Sequence, residues 1–444
     1  MHRHCRIPAP DSRRAATAPT RRCWALLLVG LLFAGPGVAQ NAQTLFSANQ
    51  EQIFQIRLLE RSSGSKAGIG SGFQVAADGL LATNYHVIAE AVRHPDRYRI
   101  EFIDAQGVAG ELELVDIDVV HDLALVRHGD KTRTRALTLS AQPMRQGDEV
   151  FSMGNPLDLG MTVISGIYNG LLENSLYQRL LFSGSLNPGM SGGPALDSRG
   201  EVIGINVATQ GNQISFLVPA SHLKQLLDGV QAGAEPEADP RFKQRIEEQL
   251  VANQALLIDS LLAQPWPLNP LGKARVSGEM ARYTRCWGNS NDSDLKARYR
   301  EYSSTCRTND QIYLQSDFNT GQFGYGFSWV ESDELNTWQL YSRYATHLSG
   351  LSPNNNARKD QVGRLQCHGD FVAIGSLEVR HWKTVLCARQ YQHYPALFDV
   401  LFAAANNDDA HQGLVTYFQL AGVTQANALK FAKHFMEHVQ WASL

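Results

Sequence analysis

Asn187-Pro188-Gly189-Met190-Ser191-Gly192-Gly193-Pro194 is the stretch on which the reading of this chain turns. Glycines at 189, 192 and 193 let the backbone bend tightly around the one serine. Such a turn can aim the N–H groups of Gly189 and Ser191 at one point, the arrangement that stabilises a developing oxyanion. A serine hydroxyl is a poor nucleophile at neutral pH, so it needs a base within reach and a third group to orient that base. A Gly-Ser surface loop has the same local composition, so the case depends on what stands elsewhere in the chain.

The candidate base is His86, in Leu80-Leu81-Ala82-Thr83-Asn84-Tyr85-His86-Val87-Ile88, just after an apolar strand-like run. A lone histidine beside apolar residues is more often structural than catalytic, and His86 gains its value from its company. The candidate acid is Asp122, in Val119-Val120-His121-Asp122-Leu123-Ala124-Leu125-Val126, where a carboxylate opens an apolar strand and needs a partner. Asp116 and Asp118 are rivals upstream and read as solvated turn residues. The three side chains occur in the order His, Asp, Ser.

From about residue 50 to 220 the chain is a succession of short apolar runs broken by Gly, Pro, Asn and Asp, among them Leu80 to Thr83, Tyr98 to Ile103, Leu123 to Arg127, Glu149 to Met153 and Val202 to Val207. Regular short strands with turns between them indicate a mainly β sandwich or barrel. Gly70-Ser71-Gly72-Phe73, Thr83 to Ile88, His121 to Val126, Gly154-Asn155-Pro156, Ser165-Gly166-Ile167, Gly189 to Pro194, Ile203-Gly204-Ile205-Asn206 and Phe216-Leu217-Val218-Pro219 together fall over about residues 65–227. This ordered set resembles the HtrA/Deg branch of trypsin-like serine proteases.

The resemblance implies a chymotrypsin-like double β-barrel with its site in the cleft between the barrels. It implies His86 as general base, Asp122 as its orienting acid, Ser191 as nucleophile, and the Gly189 and Ser191 amides as oxyanion donors. Peptide bonds in protein or peptide substrates are the implied target, and no cofactor or metal is implied. By the same likeness Ser185 lies near the base of the S1 pocket, with Val207, Ala208 and Thr209 as one wall. A pocket without an acid does not select Lys or Arg by charge, so small or medium aliphatic P1 residues are expected. The branch usually carries PDZ domains after the protease, and no Φ-Gly-Φ carboxylate-binding loop stands in the corresponding place. Gly68-Ile69-Gly70-Ser71-Gly72 is not a nucleotide loop, because Phe73 occupies the position of the last fingerprint glycine and no Lys-Ser pair follows.

Residues 1–39 hold six arginines and one aspartate ahead of the apolar run Trp24 to Ala34, and Gly37-Val38-Ala39 ends in small residues. That is the layout of a secretory signal peptide, with cleavage expected near Ala39 and a periplasmic or extracellular destination. The apolar run is shorter than the ~20 residues of a stable membrane span. Removing this leader from 40 basic and 43 acidic residues leaves 34 and 42, a formal net charge of −8. An acidic chain without a basic cluster argues against nucleic acid as partner.

Four cysteines follow the leader: Cys286, Cys306, Cys367 and Cys387. An even number in an exported chain reads as two disulfides. Both Cys286-Trp287-Gly288 and Cys367-His368-Gly369 open a pair whose second cysteine lies 20 positions on, so Cys286–Cys306 and Cys367–Cys387 is the simplest of three connectivities.

The expected organisation is a signal peptide at 1–39, a protease domain at 40–230, a linker at 231–240 (QAGAEPEADP), a connecting helix at 241–265 and an unrecognised disulfide-containing α+β domain at 266–444, in which Gln311 to Phe318 reads as a strand and Ala426 to Trp441 as a helix. Two other function classes stay open. One is a catalytically silent trypsin-fold binding or scaffolding protein with a C-terminal recognition domain. The other is a second enzyme site in that domain drawing on His368, Asp370, His381 or His393, which show no ligand spacing.

Overall fold

The computed structural model describes residues 42–209, 211, 213–231, 240–353, 355–374, 379–406 and 409–441. The leader, the cleavage point near Ala39 and most of the linker lie outside the described residues.

Twelve strands close into two six-stranded antiparallel barrels. The first is built from β1 (Ile53–Glu60), β2 (Lys66–Gln74), β3 (Leu80–Thr83), β4 (Tyr98–Ile103), β5 (Ala109–Asp118) and β6 (Leu123–Arg127). The second uses β7 (Glu149–Gly154), β8 (Thr162–Leu171), β9 (Leu180–Phe182), β10 (Pro194–Leu196), β11 (Val202–Thr209) and β12 (Ser215–Pro219). Helix α1 (Ala42–Asn49) precedes them, α2 (Tyr85–Arg93) follows β3, and α3 (Ala220–Gln231) closes the second barrel.

Successive side chains of a strand point to opposite faces, and β6 shows why its run is apolar from Leu123 to Val126. Ala124 and Val126 join Phe54, Ile56, Leu81 and Phe102 in the core of the first barrel. Leu123 and Leu125 face the other way, into a second core with Phe151, Met153, Ile205 and Val218 that welds the barrels together. Both faces of β6 are therefore dry, and its first residue is preceded directly by Asp122.

Helix α4 (Pro240–Ala263) runs from the barrels to the C-terminal region. Its residues Phe242, Ile246 and Leu250 pack with the first barrel, while Leu257, Ile258 and Leu261 pack under the C-terminal sheet. Helical spacing of three and four places both triplets where one rod can serve two cores. The C-terminal region begins with β13 (Leu268–Leu271), β14 (Ala274–Ser277), β15 (Thr284–Ser290), β16 (Arg300–Thr308), β17 (Ile312–Gln315), β18 (Phe318–Thr320) and β19 (Phe323–Glu331). It continues with α5 (Thr337–Leu348), β20 (Gln366–Ile374), β21 (Arg380–Gln390), β22 (Phe398–Asn406), β23 (Gln412–Val423), α6 (Gln425–Glu437) and β24 (Gln440–Trp441). A seven-stranded antiparallel sheet in the order β15-β16-β19-β23-β22-β21-β20 carries α6 on an aromatic core that includes Phe327, Trp329, Phe418, Phe431 and Phe435.

Cys286 faces Cys306 across β15 and β16, and Cys367 faces Cys387 across β21 and β20, each pair in direct register and disulfide-bonded. The bonds thus staple the outermost hairpin at each edge of the sheet.

Two sequence readings need correction. The helical pattern from Ala426 to Trp441 ends at Glu437, because Gln440 and Trp441 pair with β14 as β24. The stretch Gln311 to Phe318, read as one strand, turns into the β17–β18 hairpin, because Ile312 and Leu314 are drawn into the core of the first barrel rather than into the large sheet.

Candidate active site

His86 stands in the first turn of α2, and Asp122 immediately precedes β6. Asp122 adopts φ 62°, the left-handed region that Asp tolerates better than most residues. This turn directs its groups back toward α2. The Asp122 carbonyl accepts from Asn84 Nδ2 at 2.8 Å and from the Tyr85 N–H at 3.2 Å. Its carboxylate accepts the His86 backbone N–H on Oδ1 at 2.9 Å and meets His86 Nδ1 with Oδ2 at 2.7 Å. Asp122 is buried, while the His86 side chain keeps 26% of its surface exposed. A carboxylate at Nδ1 selects the tautomer with the proton on that nitrogen, which leaves Nε2 free to accept.

The Ser191 loop is held by its carbonyls. A trans peptide sets each N–H opposite the carbonyl of the preceding residue. Pro188 O accepts from the Leu157 N–H at 2.8 Å, which turns the Gly189 N–H the other way. Met190 O accepts from the Gly193 N–H at 3.1 Å and from Asn206 Nδ2 at 3.2 Å, which does the same for the Ser191 N–H. Among the described hydrogen bonds, neither the Gly189 nor the Ser191 N–H has an acceptor, whereas those of Met190, Gly192 and Gly193 all do. Two donors therefore stand unused beside the serine. At Gly192, with φ 85°, an added Cβ would run into Ser71 O and Thr83 Oγ1. Only glycine lets the loop approach the first barrel this closely.

Contacts from both barrels lock the loop. Ser71 in β2 donates its N–H to Ser191 O at 2.7 Å and its hydroxyl to Gly189 O at 2.7 Å, and the same hydroxyl accepts from the Asn155 N–H at 2.9 Å. Asn206 in β11 reaches Met153 O at 3.0 Å as well as Met190 O, and accepts from Ser152 Oγ at 2.8 Å. The Ser191 hydroxyl itself donates to Val207 O at 3.2 Å. Among the described hydrogen bonds it makes none to His86.

A cavity of about 260 Å³ opens beside Ser191, lined by Leu186, Asn187, Pro188, Val207 and Thr209 as well. Val207 and Thr209, expected from the sequence as one wall of an S1 pocket, both line this cavity. Ser185 does not: it is exposed and outside the lining, whereas Leu186, one residue on in the loop after β9, is buried and lines the cavity. The side chain of Ala208 lies outside the described residues.

Asp116 and Asp118 are not solvated turn residues. Asp116 is buried in β5, where Arg245 of α4 donates from Nη2 to its Oδ2 at 2.7 Å and brings Nε within 2.6 Å of Oδ1. Asp118 lies 2.6 Å from His121 Nδ1, and although burial favours its neutral form, the bonds and charge of His121 hold it below the usual carboxylate range. The His121 ring stacks on His222 of α3, with centroids 3.7 Å apart. Burial and then the neighbouring His121 push His222 down to about 4. Sequence reasoning missed this cluster, Ser71 as a clamp and Asn206 as an anchor. The last two sat inside quoted motifs, and that was their only signal. Among the described residues no group of three or more His, Cys, Asp or Glu side chains is placed to hold a metal ion, His368, Asp370, His381 and His393 included. Among them, no helix is long and apolar enough to cross a membrane.

Residues 70–205 match the family model of a trypsin-like peptidase domain. Over 167 residues the chain is 35% identical to the mitochondrial serine protease HTRA2 of Bos taurus, covering 36% of this chain and 35% of that protein. Over 171 residues it is 34% identical to a probable periplasmic serine endoprotease DegP-like of Rhizobium meliloti, covering 36% and 33% respectively. A crystal structure of the serine endoprotease from Yersinia pestis is 25% identical, covers 44% of this chain and 68% of that one, and has a TM-score of 0.39. The chain spans about a third of the length of the curated relatives it matches.

Proposed function

With residues 70–205 carrying a trypsin-like peptidase domain, we propose that the chain is a serine endopeptidase in which Ser191, His86 and Asp122 act as nucleophile, general base and orienting acid. The observation that carries this reading is the pairing of Asp122 with His86 through both carboxylate oxygens, opposite a serine flanked by two N–H groups without acceptors. Turnover starts when the Ser191 hydroxyl leaves Val207 O for His86 Nε2. The oxygen attacks the scissile carbonyl as Nε2 takes its proton, and the Gly189 and Ser191 N–H groups receive the oxyanion. The imidazolium, stabilised by Asp122, then protonates the leaving amine, and water repeats the sequence on the acyl-enzyme. The 260 Å³ cavity, lined by Leu186, Pro188, Val207 and Thr209 among others, takes a small or medium aliphatic P1 side chain. A cleavage profile dominated by Lys or Arg would contradict that choice.

Export to the periplasm or the extracellular medium is part of the proposal. The basic and apolar leader and the two disulfides support it. A second reading, a silent trypsin-fold binding protein, draws on one observation: the Ser191 hydroxyl is bonded to Val207 O and not to the imidazole. Hydrolysis of casein by wild type and Ser191→Ala separates the two, with a serine-directed covalent inhibitor as the second probe. The protease reading expects hydrolysis and labelling at Ser191 in wild type and neither in the variant. Equal inertness with no label would leave the binding reading.

A further inference from the structure

The His86 imidazole has a neighbour from outside the barrels. Tyr313 of β17 sets its ring edge-on to it, with centroids 5.8 Å apart and planes at 67°. Beside it, Leu314 O lies 3.5 Å from Tyr85 Oη, a contact spanning 229 residues of chain. The hairpin that carries Tyr313 is tied down at both ends. At one end the Asp310 carboxylate accepts the Leu176 N–H. At the other, Tyr177 Oη donates to Gly321 O at 2.9 Å. Gly321 has φ 76°, and an added Cβ would collide with Tyr177 Oη. Ile312 and Leu314 are buried in the core of the first barrel, and Tyr313, on the opposite face of the strand, is left half-buried against His86. Burial pushes its hydroxyl up to about 12, so it stays neutral and the ring is what the imidazole meets.

We infer that Tyr313 is a positioning residue for the general base, supplied by the C-terminal region. Its ring walls the imidazole, keeping the rotamer that presents Nε2 toward Ser191 and keeping water off the bond from Nδ1 to Asp122. An imidazole with a quarter of its surface exposed has room to swing out, and Asp122 restrains only one of its nitrogens. The effect on turnover rests on the protease reading above. The effect on the imidazole does not.

The test compares Tyr313→Ala, Tyr313→Leu and Tyr313→Phe in the full chain. Burst titration of the acyl-enzyme counts active sites, so that kcat is expressed per site. NMR of histidine-labelled protein follows exchange of the His86 Nδ1 proton with water. Ala and Leu are expected to lower kcat per site roughly tenfold, with KM within about twofold, and to speed the proton's exchange by a similar factor. Phe is expected to restore both. Leu keeps the apolar packing, so the comparison survives if Ala fails to fold. Unchanged kcat and exchange in Ala and Leu would overturn the inference, as would a Phe variant as impaired as Ala. A wild type that neither turns over nor takes label at Ser191 sinks the protease reading, and the exchange rate alone then decides the role of Tyr313.

Discussion

Truncating Asn206 tests whether a single buried amide aims one of the two oxyanion donors. Its Nδ2 reaches Met190 O at 3.2 Å and Met153 O at 3.0 Å, and its Oδ1 accepts from Ser152 Oγ at 2.8 Å. Asn206→Ala removes all three bonds at a fully buried position, and each buried polar group left short of a partner costs about 1–3 kcal/mol. Met190 O keeps the Gly193 N–H at 3.1 Å, so the Ser191 N–H loses part of its restraint and not all of it. Complete loss of an oxyanion donor costs about 2.7–4 kcal/mol. A donor that is loosened and not removed should therefore cost about 1–2 kcal/mol, or roughly 5- to 30-fold in kcat. Ser152→Ala is the control, because it breaks only the Ser152 bond and leaves Met190 O untouched. Burst titration, steady-state kinetics on a peptide and a thermal melt should show both variants less stable and only Asn206→Ala slower per active site. If kcat per site is unchanged in Asn206→Ala, or falls equally in Ser152→Ala, the amide holds the barrel together and does not aim the donor.

Acid should weaken the fold through His222. Its folded pKa of about 4 lies below the unfolded value of ~6.5, so its contribution is complete above pH 6.5 and is lost as pH falls toward 4. A loss of roughly 2 kcal/mol is expected over that window, and His222→Phe should flatten the slope of Tm against pH; parallel slopes would exclude the histidine as the cause. Arg245→Ala should destabilise the chain by about 3 kcal/mol, because it takes the guanidinium from the buried Asp116. Arg245→Lys should recover only part of the loss, since a point charge cannot span both carboxylate oxygens, and a Tm equal to wild type in Arg245→Ala would refute the account.

The parts of the site that could be read early were those with a local physical cause. Gly189 and Gly192 stand where the backbone needs positive φ, and each would clash with a neighbour if it carried a Cβ. Alternating or continuous apolar runs mark strands whether or not their partners are known, and so most of the barrel strands were placed. The weak points were positional. Ser185 and Leu186 are adjacent in the loop between β9 and the serine turn, and only the folded course of that loop decides which of the two side chains enters the pocket. Asp116 reads as a turn residue because its partner, Arg245, lies 129 positions away on another element.

The periodicity of the strands, the glycines that let a serine loop fold tightly and the paired spacing of the cysteines are written locally in the chain, since each depends on near neighbours. Long-range packing settles which carbonyls pin the Gly189 and Ser191 peptides, that His121 stacks on His222, and that a tyrosine from the C-terminal region faces His86. Such contacts arise when closed barrels and a long helix bring remote segments into one core. No local pattern encodes them, because the free energy that selects them belongs to the packed whole.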